Sequence, residues 1–129
     1  MNIMKTLKIV LSLVVMALIF GGCKYDFILP EQVPDIPTDE PVKFATQIAP
    51  IFAQAGCTSC HKSGGQSPDL ASSNVYSVIV PALVNTSDPE SSPIYDYASP
   101  ETSKHDWKKY SATQAAYILT WIQQGAQNN

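Results

Sequence analysis

Two cysteines and a histidine stand together in the segment Cys57-Thr58-Ser59-Cys60-His61. This C-x-x-C-H spacing is the one that covalent haem attachment requires. Two thiols three positions apart at the start of a helical turn can reach the two vinyl groups of one porphyrin, and the histidine after the second thiol then lies under the iron as its proximal ligand. Because C-x-x-C pairs also occur in redox enzymes and zinc sites, the surrounding sequence must discriminate between these chemistries.

The N-terminal segment is typical of an exported precursor. Lys5 and Lys8 precede a continuous apolar run from Ile9 to Phe20, and two glycines follow it. A basic region, an apolar region and small residues before a cleavage point occur in this order in signal peptides. We therefore expect a signal peptide over residues 1–22. The alternative, an anchor that stays in the membrane, is disfavoured because twelve apolar residues are fewer than the about 20 that span a bilayer as a helix.

Cys23, directly after this segment, is a candidate lipidation site. The residues Phe20-Gly21-Gly22-Cys23 resemble the lipobox of bacterial lipoproteins, in which the cysteine carries the lipid, although a leucine is usual where Phe20 stands. The resemblance implies an exported, membrane-anchored lipoprotein in the periplasm or at the cell surface, and Lys24 favours the outer membrane. With one cysteine for lipid and two for haem, no thiol is left for a disulfide.

The sequence offers few candidates for the ligand on the other face of the iron. All three methionines, Met1, Met4 and Met16, lie in the expected signal peptide, so the mature protein would offer no methionine sulfur. His105 is the only histidine besides His61, and it lies in a polar loop before the last expected helix. We expect His105 to be the distal iron ligand.

Other interpretations of His105 stay open at this point. It can be a solvent-exposed loop histidine that binds nothing. The iron can be open or water-bound on its distal face, or a lysine can take that position. Zinc can also replace haem, although a closed zinc site usually has a second pair of ligands. The residues concerned are Lys104, Lys108 and Lys109 for lysine ligation, and Cys57, Cys60 and His105 for zinc.

Charge and composition exclude several classes of function. The net charge is −3 at pH 7, and a chain that begins at Cys23 would lose two lysines and carry −5. Nucleic-acid binding requires a basic face, which this sequence does not offer. No Ser/His/Asp set, phosphate-binding loop or paired carboxylates occur in a context for hydrolysis or group transfer, and the haem-attachment motif instead favours an electron carrier over an enzyme. Its partner would be a redox protein that donates or accepts electrons.

Proline marks the boundary of the folded domain. Residues 23–41 form an acidic segment in which proline blocks helix and favours an extended conformation, so we expect a linker from the lipid to a domain over residues 42–129. The first helix of the domain is indicated by apolar residues at helical spacing, with an interruption near Ala49 caused by Pro50. These apolar residues are Phe44, Ile48, Ile51 and Phe52.

The remaining elements are also helical. Residues 74–80 and 94–97 read as short helices, the first capped by Ser72 or Ser73 and ended by Pro81. Ser111-Ala112-Thr113-Gln114 is a capping box, which predicts that the last helix begins there. Its apolar stripe comprises Ala115, Ile118, Leu119 and Ile122, and Gly125 stands where the helix would end. The sequence thus predicts an all-α chain with long loops, in which a covalently held apolar cofactor would complete a small core.

Three blocks of sequence resemble class I c-type cytochromes, and most closely the cytochrome c domains of bacterial lipoprotein and planctomycete type. They span about two thirds of the chain: residues 44–52 with the C-x-x-C-H motif, the segment Asp88-Pro89-Glu90-Ser91-Ser92-Pro93-Ile94-Tyr95, and the closing Trp121-Ile122-Gln123-Gln124-Gly125-Ala126.

The resemblance implies three to five helices around one haem c, with Cys57 and Cys60 attached to the porphyrin and His61 bound to the iron. The first and last helices would cross beside the haem and bury Phe44, Phe52, Ile118 and Trp121. The family usually supplies methionine on the distal side, and here His105 stands in that place. The expected function is single-haem electron transfer. The alternatives are a haem domain with an open distal site that binds ligands or peroxide, and a structural lipoprotein whose C-x-x-C-H is incidental.

Overall fold

The computed structural model describes residues 2–20, 32–37 and 39–129, with the backbone alone described over residues 17–20. The chain divides into two compact units, Met1–Pro30 and Glu31–Asn129. All the regular structure in these described ranges is helical, and they contain no strand. The expected all-α class is therefore confirmed for this part of the chain.

The first unit contains one helix, α1, which runs over Ile3–Phe20 and covers the apolar run of the expected signal peptide. Residues 2–16 are exposed. Within the described part of the chain, no helix is both long enough and apolar enough to cross a membrane. The candidate lipidation site Cys23 lies outside the described residues, as do residues 24–31 of the expected linker.

The second unit begins with two helical turns joined end to end. A π-helical segment, Phe44–Ile48, passes directly into α2, Ala49–Gln54. Pro50 lies in the first turn of α2, where its missing N–H costs no helical hydrogen bond. The restart expected near Ala49 is confirmed, and the four apolar residues that predicted this segment are all buried.

Helix α5, Ala112–Gln123, begins at the predicted capping box. The Ser111 hydroxyl accepts a hydrogen bond from the Gln114 N–H at 3.2 Å, and the Gln114 side chain accepts one from the Ser111 N–H at 3.0 Å. Gly125 follows with φ +91°, which confirms it as the residue that ends the helix. The buried face of α5 packs against the π-helical segment and consists of Ala115, Ile118, Trp121 and Ile122.

An aromatic cluster in the core connects the π-helical segment with α5. The Phe44 ring lies 5.2 Å from Trp121 and 5.1 Å from Tyr76, centroid to centroid. Trp121 Nε1 donates a hydrogen bond to the Gln127 carbonyl at 2.9 Å, so its polar atom is satisfied although the side chain is only 1% exposed. The expected burial of Phe44, Phe52, Ile118 and Trp121 is confirmed.

Two short helices and two 3₁₀ turns lie between these elements. Helix α3 is Val75–Ile79 and α4 is Pro93–Asp96, and the 3₁₀ turns are Cys57–Ser59 and Pro89–Ser91. The expected serine cap of α3 is wrong. The N-cap is Asn74, and it has no side-chain capping bond. The Asn74 side-chain oxygen instead accepts a hydrogen bond from the Ser77 hydroxyl at 3.1 Å.

The end of the expected linker rests on the domain. Ile36 is partly buried and packs against the core. The Gln124 side chain accepts a hydrogen bond from the Val42 N–H at 2.7 Å and donates one to the Glu40 carbonyl at 3.1 Å. The two hydrogen bonds attach Glu40 and Val42 to the C-terminal end of α5.

Candidate functional site

The C-x-x-C-H motif follows α2 across a glycine. Gly56 has φ +72°, a left-handed conformation that glycine adopts without steric cost, and this reverses the chain after α2. The Cys57 carbonyl then accepts hydrogen bonds from the N–H groups of Cys60 at 3.2 Å and His61 at 2.9 Å. The motif is therefore wound into a single tight turn, which brings both thiols and the imidazole to one region of the surface.

This turn forms one wall of a cavity of about 750 Å³. That volume lies in the range of about 300–1,000 Å³ found for small-molecule and cofactor sites. Cys57, Cys60, His61 and His105 all line the cavity, so the structure brings together the four site residues that the sequence predicted. Most of the other lining side chains are apolar or aromatic, among them Leu70, Leu83, Pro93, Ile94, Ala98 and Tyr110.

The rings of His61 and His105 lie close together on the same cavity. The ring centroids are 6.0 Å apart and the ring planes differ by 32°. A metal ion binds an imidazole nitrogen at about 2.0–2.1 Å, so two rings on opposite sides of one ion have centroids about 6 Å apart. The observed separation therefore leaves room for one metal ion between the two rings.

Each imidazole has its Nδ1 atom occupied by a backbone carbonyl. His61 Nδ1 lies 3.1 Å from the Pro68 oxygen, and His105 Nδ1 lies 2.8 Å from the Lys108 oxygen. A carbonyl can only accept, so each Nδ1 acts as the donor, and Nε2 is the atom of each ring that is left to bind a metal ion. Metal-binding histidines are commonly oriented in this way, with the second nitrogen bonded to a carbonyl or carboxylate.

The loop that carries His105 includes an unusual backbone conformation. His105 has φ +54°, which is uncommon for any residue with a side chain. The Lys108 N–H donates a hydrogen bond to the His105 carbonyl at 3.2 Å, so residues 105–108 form a closed turn. The Trp107 ring stacks on the His105 ring with centroids 4.4 Å apart and is itself 77% exposed.

The two thiols differ in their surroundings. Cys57 is buried and Cys60 is exposed, and both are free. Burial raises the pKa of the Cys57 thiol, while its backbone hydrogen bond and the positive charge of Lys108 oppose that change. The Lys108 side chain passes over Gly56, where an added Cβ would lie 2.9 Å from the Lys108 Nζ. Glycine at position 56 therefore also makes room for the lysine beside the buried thiol.

Tyr110 lines the cavity with a buried, neutral side chain. Its hydroxyl donates a hydrogen bond to the Ile94 carbonyl at 3.1 Å, and the side chain is 4% exposed. Burial raises the pKa of this phenol far above its usual value, with a smaller contribution from the nearby Cys57. Tyr110 therefore stays protonated across the physiological pH range and contributes a polar anchor without charge.

Of the three lysines that the sequence left open as ligands, Lys104 lines the cavity, whereas Lys108 and Lys109 do not. Lys104 forms an ion pair with Asp96, and this hydrogen bond raises the pKa of the Lys104 ammonium group. Lys109 donates hydrogen bonds to the carbonyls of Thr102 and Lys104. Both amines are thus engaged in hydrogen bonds to other groups of the loop and of α4.

A closed zinc site is not assembled from the described residues. In residues 2–20, 32–37 and 39–129, no group of three or more His, Cys, Asp or Glu side chains is arranged to hold a metal ion. Zinc in a structural site needs four such ligands. Two imidazoles are enough where a tetrapyrrole supplies the other four nitrogens, so the donor set fits haem better than free zinc.

Several groups that orient the site residues could not be recognised from the sequence. The carbonyls of Pro68 and Lys108 orient the two imidazoles, and every residue has a carbonyl, so no residue type identifies them. Trp107 did carry a signal, since a tryptophan within a polar loop is rarely without a contact role. Comparisons with protein-family models, curated proteins and solved structures gave no match to this chain.

Proposed function

We propose that this protein is a single-haem cytochrome of the class I c type that transfers electrons outside the cytoplasm. The observation that carries the proposal is the convergence of two thiols and two Nδ1-bonded imidazoles on one largely apolar cavity. These are the protein groups that attach haem c covalently and bind its iron on both faces.

Each residue of the site has a role in this proposal. When bound, haem c supplies a one-electron Fe(III)/Fe(II) couple. Cys57 and Cys60 would hold the porphyrin through thioether bonds, His61 would be the proximal ligand and His105 the distal one. The apolar lining, which includes Leu70, Leu83 and Ile94, would exclude water from the porphyrin.

Electron transfer, rather than catalysis, follows from the pair of imidazoles. If both axial positions are held by protein side chains, no position remains at which a substrate binds the iron. The partner would then be a redox protein that approaches the exposed edge of the site. The expected lipid on Cys23 and the acidic linker would place the domain at a membrane surface in the periplasm or outside the cell.

The three cysteines allow the proposal to be tested with one set of variants. The full chain is expressed in a bacterium that matures c-type cytochromes, and haem is stained on a denaturing gel. We expect wild-type protein to retain the stain, the Cys57→Ala/Cys60→Ala double variant to lose it, and Cys23→Ser to keep it while leaving the membrane fraction. Wild-type polypeptide that carries no haem after denaturation would show that the proposal is wrong.

One observation favours a second function, a haem domain with an open distal site that binds small ligands or peroxide. The left-handed backbone of His105 costs about 1–3 kcal/mol, and release of the ligand would relieve that strain. Carbon monoxide distinguishes the two functions. Slow binding to the ferrous protein supports a bis-histidine electron carrier, whereas fast binding supports an open site.

A further inference from the structure

We infer that Lys109 is a positioning residue for the distal imidazole: its ammonium group holds residues 99–109, which we call the distal loop, in the conformation that presents His105 to the cavity. The inference rests on the proposed function, because it takes His105 as the distal iron ligand. In this role Lys109 supports binding of the iron by His105 and does not compete with His105 for it.

The distal loop has turns and bends but no helix. Its base is closed by a hydrogen bond of 2.9 Å from the Tyr110 N–H to the Ala98 carbonyl. A loop without a helical or strand ladder must find other partners for its carbonyl groups, or leave them to water. Side chains within the loop can therefore determine its conformation.

The side chain of Lys109, the last residue of the distal loop, supplies such partners. Its Nζ donates to the Thr102 carbonyl at 2.8 Å, to the Thr102 hydroxyl at 3.3 Å and to the Lys104 carbonyl. An ammonium group has three donors, and here three oxygens surround it. Lys109 is half-buried, and hydrogen bonds from a charged donor are stronger than those between neutral groups.

These contacts connect the distal loop to the wall of the cavity. The Thr102 hydroxyl donates to the Asp96 carbonyl at 2.8 Å, and Asp96 is the last residue of α4. Helix α4 also contains Ile94, which lines the cavity. Lys109 is therefore linked through Thr102 to an element whose position relative to the cavity is fixed by packing.

The turn at His105 depends on such support. The two hydrogen bonds between His105 and Lys108 orient the ring within the turn, but they do not fix the turn above the cavity. The contact from Lys109 to the Lys104 carbonyl lies one residue before His105, where the backbone enters its left-handed conformation. A conformation of this kind persists only where the surroundings hold it.

The test uses the haem-loaded full-length protein and four lysine variants. Lys109→Met removes the ammonium group and keeps a chain of similar length, Lys109→Gln keeps a neutral donor, and Lys109→Arg keeps the charge. Lys43→Met is the matched control, because Lys43 is exposed and does not line the cavity. Three quantities are measured: the low-spin fraction of the ferric protein, the rate of CO association with the ferrous protein, and amide hydrogen exchange over residues 99–109.

We expect Lys109→Met to bind CO about tenfold faster or more, because ligand entry is limited by the population in which the distal site is open. Amide exchange in the distal loop should rise in the same variant while the exchange of α5 stays unchanged. Lys109→Gln should show smaller increases in the CO association rate and in amide exchange of the distal loop. Both Lys109→Arg and Lys43→Met should resemble the wild type.

Two results would overturn the inference. The first is a Lys109→Met protein with wild-type CO kinetics and wild-type exchange in the distal loop. If that variant fails to fold, the same result in Lys109→Gln has the same meaning. The second is an equal change in CO association and amide exchange in Lys109→Met and Lys109→Arg. Such a result would assign the effect to the shape of the side chain rather than to its charge. Failure of the proposed function is distinct, since wild-type protein would then lack covalent haem or low-spin iron.

Discussion

His61 and His105 line one cavity, with ring centroids 6.0 Å apart and a carbonyl oxygen at the Nδ1 atom of each ring. The two histidines are 44 positions apart in the chain, one in the turn after α2 and one in the distal loop. Their separation matches the about 6 Å expected for two imidazoles on one metal ion. In both proposed ligands a backbone carbonyl occupies Nδ1, which leaves Nε2 as the atom that would bind the iron.

The proposed role of His105 as distal iron ligand predicts a specific spectroscopic change on its removal. In His105→Ala, ferric iron should change from low spin to a mixture rich in high spin, because one strong-field ligand is lost. CO should bind the ferrous variant at least about tenfold faster, since the open state no longer limits entry. Absorption spectra and stopped-flow CO binding measure both effects.

Asp106→Ala is the control for this prediction, since Asp106 is exposed and adjacent to His105 but does not line the cavity. Its spectra should equal those of the wild type. Unchanged spectra in His105→Ala would exclude His105 as the ligand.

The identity of the distal ligand also predicts the reduction potential. Imidazole is a stronger donor than thioether sulfur and favours ferric iron, so under the proposed function the potential should lie below that of methionine-ligated c-type cytochromes. The ferric spectrum should also lack the charge-transfer band of methionine sulfur. In His105→Met we expect a potential higher by on the order of 100 mV, a fraction of the ~0.8 V range over which axial ligands act. A redox titration of both proteins measures the difference, and a wild-type value typical of His/Met cytochromes would contradict the prediction.

The unequal burial of the two thiols predicts unequal reactivity in haem-free protein. Cys60 is exposed, whereas Cys57 is buried and burial raises its pKa. The thiolate is the reactive form, so at neutral pH Cys57 should be alkylated at least about tenfold more slowly than Cys60. The rate at Cys57 should continue to increase at pH values above the ordinary pKa of a cysteine thiol, because its raised pKa moves ionisation to higher pH.

Timed alkylation with iodoacetamide, followed by peptide mass spectrometry, gives the two rates. The variants Cys57→Ala and Cys60→Ala serve as controls, each with one of the two thiols. Equal rates at the two positions would show that Cys57 is not protected in solution.

The two tryptophans form a matched pair for stability. Trp121 is 1% exposed and packs on Phe44, whereas Trp107 is 77% exposed. Trp121→Ala should reduce the free energy of unfolding by about 3–5 kcal/mol, because it leaves a cavity in the core and removes the bond to the Gln127 carbonyl. Trp107→Ala should change it by less than about 0.5 kcal/mol. Urea denaturation followed by circular dichroism measures both, and similar losses in the two variants would contradict this account of the core.

The sequence predicted the parts of the fold that depend on local patterns. The capping box at Ser111 and Gln114 uses two side chains that satisfy each other's backbone groups, so four residues are enough to recognise it. Pro50 likewise determines by itself where α2 can begin. Asn74 shows the limit of such signals, since it took the cap position expected of a neighbouring serine and directed its side chain to Ser77.

The sequence identified four residues that meet at the candidate site, but not the groups that orient them. Cys57, Cys60, His61 and His105 are recognisable because few residue types bind haem or iron. The groups that orient them are the carbonyls of Pro68 and Lys108 and the ammonium group of Lys109, and these act through the path of the backbone. Such contacts depend on the tertiary structure, which no local pattern encodes.

The stacking of Trp107 on His105 gives the protein a built-in optical probe. Trp107 is solvent-exposed, so its fluorescence emission should lie at long wavelength, and the buried Trp121 should emit at shorter wavelength. A porphyrin in the cavity would quench Trp107 by energy transfer. Fluorescence can therefore follow movement of the distal loop through one tryptophan and unfolding of the core through the other, without any added label.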